Sequence, residues 1–332
     1  MTRIHSLLCG VVISLVAVPM AAQTSDDAPW LDLQSATVAV RYRMTENQLG
    51  SRAQNWSDHH QGLKLRLKLD RAARYSLTAV ALNGSSFIAG WNLRGLGGHS
   101  SNRLFLKQLF VTAKPHGGVE FQYGGLGIVR GESSEITSYD NDGYLVGQRL
   151  TLFDQLTMTA GYLGDFQTPS VTRRWRRLSD VNYGKVLVKR KLTDRLTATA
   201  DFTSDNGERT LRQGVAIHPA TIVDLIRLEA YERVSGPGAV GGAIALERPF
   251  GRTRFAASFA SVDNRYRPVN GDRYGRGRRL SLTNTTDLGH DVSLQVFLTR
   301  ALDHDIAMPN RTRLDVLLRF ELAPALRQMA LR

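Results

Sequence analysis

Two short runs of fixed positive charge carry most of the chemistry in this sequence. Arg41 and Arg43 alternate with Val40, Tyr42 and Met44, and Lys64, Arg66 and Lys68 alternate with Leu63, Leu65, Leu67 and Leu69. Side chains of a β-strand repeat every two residues, so each run puts its cations on one face and its apolar residues on the other. A row of fixed cations raises the local concentration of anions and repels cations. A second set has the opposite sign. Glu132, Glu135, Asp140 and Asp142 make the segment "RGESSEITSYDNDGY" acidic within a chain of formal net charge +13.

What the leucines face decides what the lysines do. In a soluble sandwich the leucines line a protein core and the charges meet water. In a membrane barrel the leucines meet lipid and the charges line a wet lumen. The connections between strands separate the two. Strand-like stretches fall near 36–45, 61–70, 74–83, 103–113, 119–128, 142–153, 156–164, 181–191, 195–204, 209–218, 222–233, 239–248, 253–263, 277–287, 291–301 and 311–321. These make about 16 strands of roughly ten residues, the length of a tilted membrane strand. Tight, turn-forming connections at 70–74, 114–118, 152–155, 192–195, 218–221, 248–252 and 287–290 alternate with mostly longer polar ones at 46–60, 84–102, 129–141, 165–180, 264–276 and 302–310. Two connections on the long side, near 205–208 and 234–238, are short. Short turns at one end and long loops at the other are the pattern of an outer-membrane barrel, and a sandwich has no reason to sort its loops this way.

The expected fold is therefore all-β, a transmembrane antiparallel up-and-down barrel. Ahead of it, Arg3, the apolar run Leu7–Met20 and the small residues Ala21 and Ala22 read as a secretory signal peptide over 1–22. Residues 23–34 then form an N-terminal periplasmic segment, 35–322 the barrel, and 323–332 a C-terminal tail. Cys9 is the only cysteine, so the exported chain is not a disulfide scaffold. Export also makes nucleic acid a poor anionic partner. Aromatics near strand ends support membrane girdles: Tyr75, Phe121, Phe153, Phe250 and Phe320 at one end, Tyr162, Phe202, Tyr231 and Phe259 at the other. Strand parity is ambiguous at 103–113 and 142–153.

Given the acidic third long connection and the basic wall, the sequence resembles outer-membrane porins. The resemblance implies that this connection folds into the barrel and sets its carboxylates against the basic wall. The segment "SYDNDGYLVGQRL" together with the basic wall is also similar to the alginate-export group of porins, which implies a basic lumen for an anionic polymer. One feature departs from the porin pattern. Such chains commonly end on an aromatic residue closing the last strand, whereas Phe320 is followed by "ELAPALRQMALR".

The function expected is passive diffusion through an anion-preferring channel in the outer membrane of a Gram-negative bacterium. Arg41, Arg43, Lys64, Arg66 and Lys68 line the pore, and Glu132, Glu135, Asp140 and Asp142 narrow it. The expected partners are outer-membrane lipids, lipopolysaccharide, and small anionic or polyanionic solutes; association with further copies of the chain stays open. No cofactor or metal is implied. Ser138, Asp140, Asp142 and Gly143 imitate the start of a calcium loop, but position twelve is Arg149, where a bidentate Glu belongs. The Arg-rich stretches 173–177 and 265–279 suit lipopolysaccharide phosphates or an anionic solute. Two other classes remain: a barrel hydrolase using the polar clusters at 57–60 and 303–305, and a structural or adhesive barrel whose lumen is closed by bulky residues such as Leu187, Leu225, Phe297 and Leu317.

Overall fold

In the computed structural model, residues 30–46, 52–85, 104–131, 144–163, 171, 179–219, 222–236, 238–263, 277–303 and 312–330 are described. They form sixteen strands: β1 Leu31–Glu46, β2 Arg52–Lys68, β3 Tyr75–Gly84, β4 Phe105–Ala113, β5 Val119–Gly127, β6 Tyr144–Leu152, β7 Leu156–Leu163, β8 Tyr183–Thr193, β9 Leu196–Asp205, β10 Glu208–Ile217, β11 Leu225–Arg233, β12 Ala239–Phe250, β13 Thr253–Val262, β14 Gly277–Gly289, β15 Val292–Ala301 and β16 Thr312–Glu321. A helix, α1 Ala323–Ala330, follows. Each strand pairs antiparallel with its sequence neighbours, and β1 closes on β16 to complete the barrel.

Every strand read from the sequence is present. The largest difference is at the start. β1 begins at Leu31, inside the segment assigned to 23–34, and β2 begins at Arg52, so most of the expected 46–60 loop is strand. "SDHH" at 57–60 therefore lies within β2 and not at a rim. Alternation of Asp58 and His60 with Ser57 and His59 is strand-like once the first hairpin is known to be long. The tail is partly helical, and the backbone leaves β16 through a bond from Leu322 N–H to the Ala36 carbonyl at 2.6 Å.

Burial is inverted relative to a water-soluble domain. Val40, Tyr42, Leu67, Val111, Val186, Val188, Ile244, Leu246, Leu280 and Leu282 are exposed on the outer face. Arg43, Asp58, Lys107, Arg149, Lys185, Asp201, Arg212, Arg279, Arg313 and Asp315 are buried on the inner one. An apolar exterior around a polar interior suits hydrocarbon outside and water inside. Most of the expected girdle residues follow: Tyr75, Phe121, Phe153, Phe250 and Phe202 are exposed. At one rim Arg248 stacks on Phe250, which meets Phe255 edge to face at 5.6 Å. Tyr231 is a correction. It points inward, is buried, and its hydroxyl accepts a bond from Asp263 N–H.

The ambiguous parity has local causes. A bulge between Val80 and Ala81 shifts β4 by one residue, so Gln108 and Phe105 both fall opposite inward positions. In β6, inward Leu145 joins Leu126, Leu163 and Tyr183 in an apolar cluster on the inner wall, against which Phe110 and Ile128 pack. Inside the same wall, Gly124, Gly147 and Gly161 lie in one register row across β5, β6 and β7. A Cβ on Gly147 would sit 2.1 Å from the Ala160 carbonyl oxygen, so no side chain is tolerated there without moving the neighbouring strand.

Closure and inverted burial give two expectations. The folded protein should run faster unboiled than boiled on a detergent gel, because a closed sheet has no edge at which to fray. Leu282→Arg, at the middle of the outer face of β14, should cost about 2–4 kcal/mol in a denaturant titration of the bilayer-inserted barrel.

Candidate functional site: a charged lumen

The inner wall carries charge in two built clusters and one open row, besides the pairs Arg227–Glu247 and Arg233–Glu208 on β10, β11 and β12. The first cluster spans β15, β16, β1 and β2. Arg41 grips Asp58, with Nε–Oδ1 at 3.1 Å and Nη2–Oδ2 at 2.6 Å, and Trp56 Nε1 donates to the same carboxylate at 3.1 Å. Arg43 makes a two-pronged contact with Asp315 at 2.6 and 2.7 Å. Arg313, two residues from Asp315 on β16, donates to the same carboxylate at 2.7 Å. Flat faces complete the packing: Arg43 lies 5.7 Å over Trp56 and Arg313 lies 5.6 Å over Phe297. Guanidinium groups suit this setting because they pair with carboxylates through two parallel bonds and stack on rings.

The second cluster joins β8, β9 and β10. Arg212 Nη1 lies 2.9 Å from Asp201 Oδ1, Lys185 Nζ lies 3.9 Å from it, and Thr203 Oγ donates to it at 2.9 Å. These side chains are almost wholly shielded. Between the clusters, Arg149 on β6 donates to Gln122 Oε1 at 3.0 Å and to the Gly127 carbonyl.

The backbone after β5 takes an unusual course. Val129 stands two residues past the end of β5, yet its carbonyl accepts a bond from Lys185 Nζ at 3.0 Å. β5 and β8 are three strand spacings apart, about 14 Å along the sheet. The chain at 128–130 therefore leans inward from β5 toward β8, far enough for the Lys185 side chain to reach it.

The open row lies on β2. Lys64, Arg66 and Lys68 occupy inward positions opposite Val80, Thr78 and Ser76 of β3 and Ser35 and Asp32 of β1. They make no ion pair or side-chain hydrogen bond among the described residues. Arg319, exposed and inward on β16, is likewise unpaired there.

All five expected basic residues face the lumen, but the structure divides them. Arg41 and Arg43 are each held by a carboxylate, and only Lys64, Arg66 and Lys68 stand open. Glu132, Glu135, Asp140 and Asp142 lie outside the described residues, as do the stretches 173–177 and 265–276. Asp58, named earlier beside His59 and His60, is held by Arg41 and Trp56. Sequence reasoning missed Asp315, Lys185, Asp201 and Arg212 as partners in clusters. Asp315 and Arg43 are 272 positions apart and meet only because the barrel closes. The available signal was inward parity: Asp315 lies on the polar face of β16 that alternation already separated from Leu314 and Val316.

No protein-family model matches the chain, and no curated protein matches it. Among solved structures, one engineered variant of Rhodopseudomonas blastica porin is similar with a TM-score of 0.57 and 11% identity, covering 86% of this chain and 99% of that one. A second variant of the same porin gives 0.56 and 11% over the same shares. At this identity the likeness is one of fold. These matches do not bear on the alginate-export resemblance.

The clusters predict unequal consequences of neutralising charge. Asp315→Asn leaves Arg43 and Arg313 facing each other without their shared carboxylate and should destabilise the barrel by about 3 kcal/mol. Lys64→Gln should change it by less than about 0.5 kcal/mol. Denaturant titration of both variants checks the ranking.

Proposed function

We propose that this chain is an outer-membrane porin, a channel for passive diffusion that prefers anions. The observation that carries the reading is the inner face of β15, β16, β1 and β2. There Arg313, Arg319, Arg41, Arg43, Lys64, Arg66 and Lys68 face Asp315, Glu321, Asp58 and Asp32, seven cations against four carboxylates among the described side chains. A water-filled tube with excess fixed positive charge concentrates anions and turns cations away. The solutes are small anionic or polyanionic molecules. The long loops belong on the outer surface of a Gram-negative cell, where the Arg-rich stretches would meet lipopolysaccharide.

The acidic segment holding Glu132, Glu135, Asp140 and Asp142 is proposed to enter the lumen and narrow it. The inward course of the chain at 128–130, held by Arg149 and Lys185, supports this. It would set carboxylates opposite the basic wall and create a field across the pore.

Planar-bilayer recording tests the reading. Reversal potentials under a salt gradient should show anion preference at low ionic strength. The preference should fade near 1 M salt, where the Debye length is about 3 Å. Neutralising the four acidic residues together should strengthen anion preference and raise conductance. An intact protein that opens no conductance would overturn the porin reading. Unchanged selectivity in the fourfold variant would place the acidic segment outside the pore.

A further inference from the structure

The inner basic wall is divided along the barrel axis. Toward the long-loop end, cations are matched to anions: Arg41 to Asp58, and Arg43 with Arg313 to Asp315. Toward the short-turn end, Lys64, Arg66 and Lys68 run open along β2, with Arg319 on β16 level with His60 across β1. Two carboxylates share that half of the wall. Glu321 is already engaged by Ser35 Oγ at 3.1 Å and Ala36 N–H at 2.8 Å. Asp32 lies beside Arg66 in register but forms no ion pair with it among the described residues. The partners opposite on β3 are the neutral Ser76, Thr78 and Val80.

We infer that the short-turn half of the lumen is a binding site for linear multivalent anions, carried by Lys64, Arg66 and Lys68. The inference rests on the channel reading and goes beyond it by splitting the basic wall into a structural half and a binding half. The paired arginines turn the Nε–Nη2 edge of the guanidinium to a carboxylate and have their charge offset by it, so they hold the wall together and have less to offer a solute. The open cations have no such partner among the described residues. They recur every second residue, about 6.6 Å apart along the strand. A monovalent anion meets one of them at a time. An anion with several charges in a line meets two or three at once, and simultaneous contacts multiply.

Two measurements test this, with inorganic tripolyphosphate as probe. Calorimetric titration into detergent-solubilised protein should show saturable binding, weakened at least tenfold by the Lys64→Gln, Arg66→Gln, Lys68→Gln triple variant. The double variant Arg41→Gln, Asp58→Asn removes a matched pair and should leave binding within twofold. In planar bilayers, the concentration of tripolyphosphate that halves chloride conductance should rise by the same factor in the triple variant. An anion-preferring channel with no saturable binding, or equal binding in the triple variant, overturns the site and leaves the channel reading standing. Saturable binding that the triple variant loses, in a protein without conductance, supports the site and overturns the channel reading.

Discussion

Inside hydrocarbon no water is present to satisfy a backbone N–H or C=O, so every strand must find both neighbours within the chain. Everything else here depends on the seam that meets this demand, where β1 pairs with β16 from Thr37↔Glu321 to Glu46↔Thr312. The seam joins the first and last strands, and polar side chains reinforce it. Glu321 accepts from Ser35 and Ala36 at the irregular point of β1, and Arg43 reaches across to Asp315. The same contacts that close the sheet also neutralise part of the lumen charge. Closure and electrostatics are thus one problem in this molecule.

The interior is held largely by ion pairs because the large apolar side chains face outward. A soluble domain of this size would bury aliphatic side chains; here Leu280, Leu282 and Ile244 face outward and add nothing to an inner core. Inner-wall rigidity comes from shared carboxylates at Asp315 and Asp201, each taking two cations from different places in the sequence. Buried charge is costly to desolvate, and at Asp315 bidentate contacts and aromatic faces offset that cost, whereas Asp201 engages its partners through Oδ1 alone. Ordinary hydrophobic packing on the inner wall is found in the cluster of Leu126, Leu145, Leu163 and Tyr183, beside the backbone at 128–130, and in a smaller one of Tyr231, Ala239 and Val262.

The barrel was legible in the sequence because its signals are local. Period-two alternation in "LKLRLKLD" and the sorting of connections into short and long need only neighbouring residues. The extent of β1 and β2 was not, because polar residues such as Asp58 and His60 in a strand look the same as polar residues in a loop until a lumen is known to receive them. Parity in β4 failed for a different reason: one bulged residue inverts the pattern, and nothing in "FLKQLFVTA" marks it. For the charged wall, alternation assigned all five cations to the correct face. It could not separate Arg41 and Arg43 from Lys64, Arg66 and Lys68, since the difference lies in carboxylates brought up by register and closure.

The two-residue turn Asn206–Gly207 is the shortest connection at its end of the barrel. Both residues have left-handed backbone, with φ of 50° and 86°, which matches the twist of the hairpin. β9 and β10 pair fully up to Asp205↔Glu208, so lengthening the connection would withdraw no strand residue from the sheet. Loop closure becomes costlier by only about 0.6 kcal/mol for each doubling of length. A foreign peptide spliced between Asn206 and Gly207 would therefore be carried on a rigid frame at the low point of the rim, and the barrel becomes a scaffold for a grafted loop.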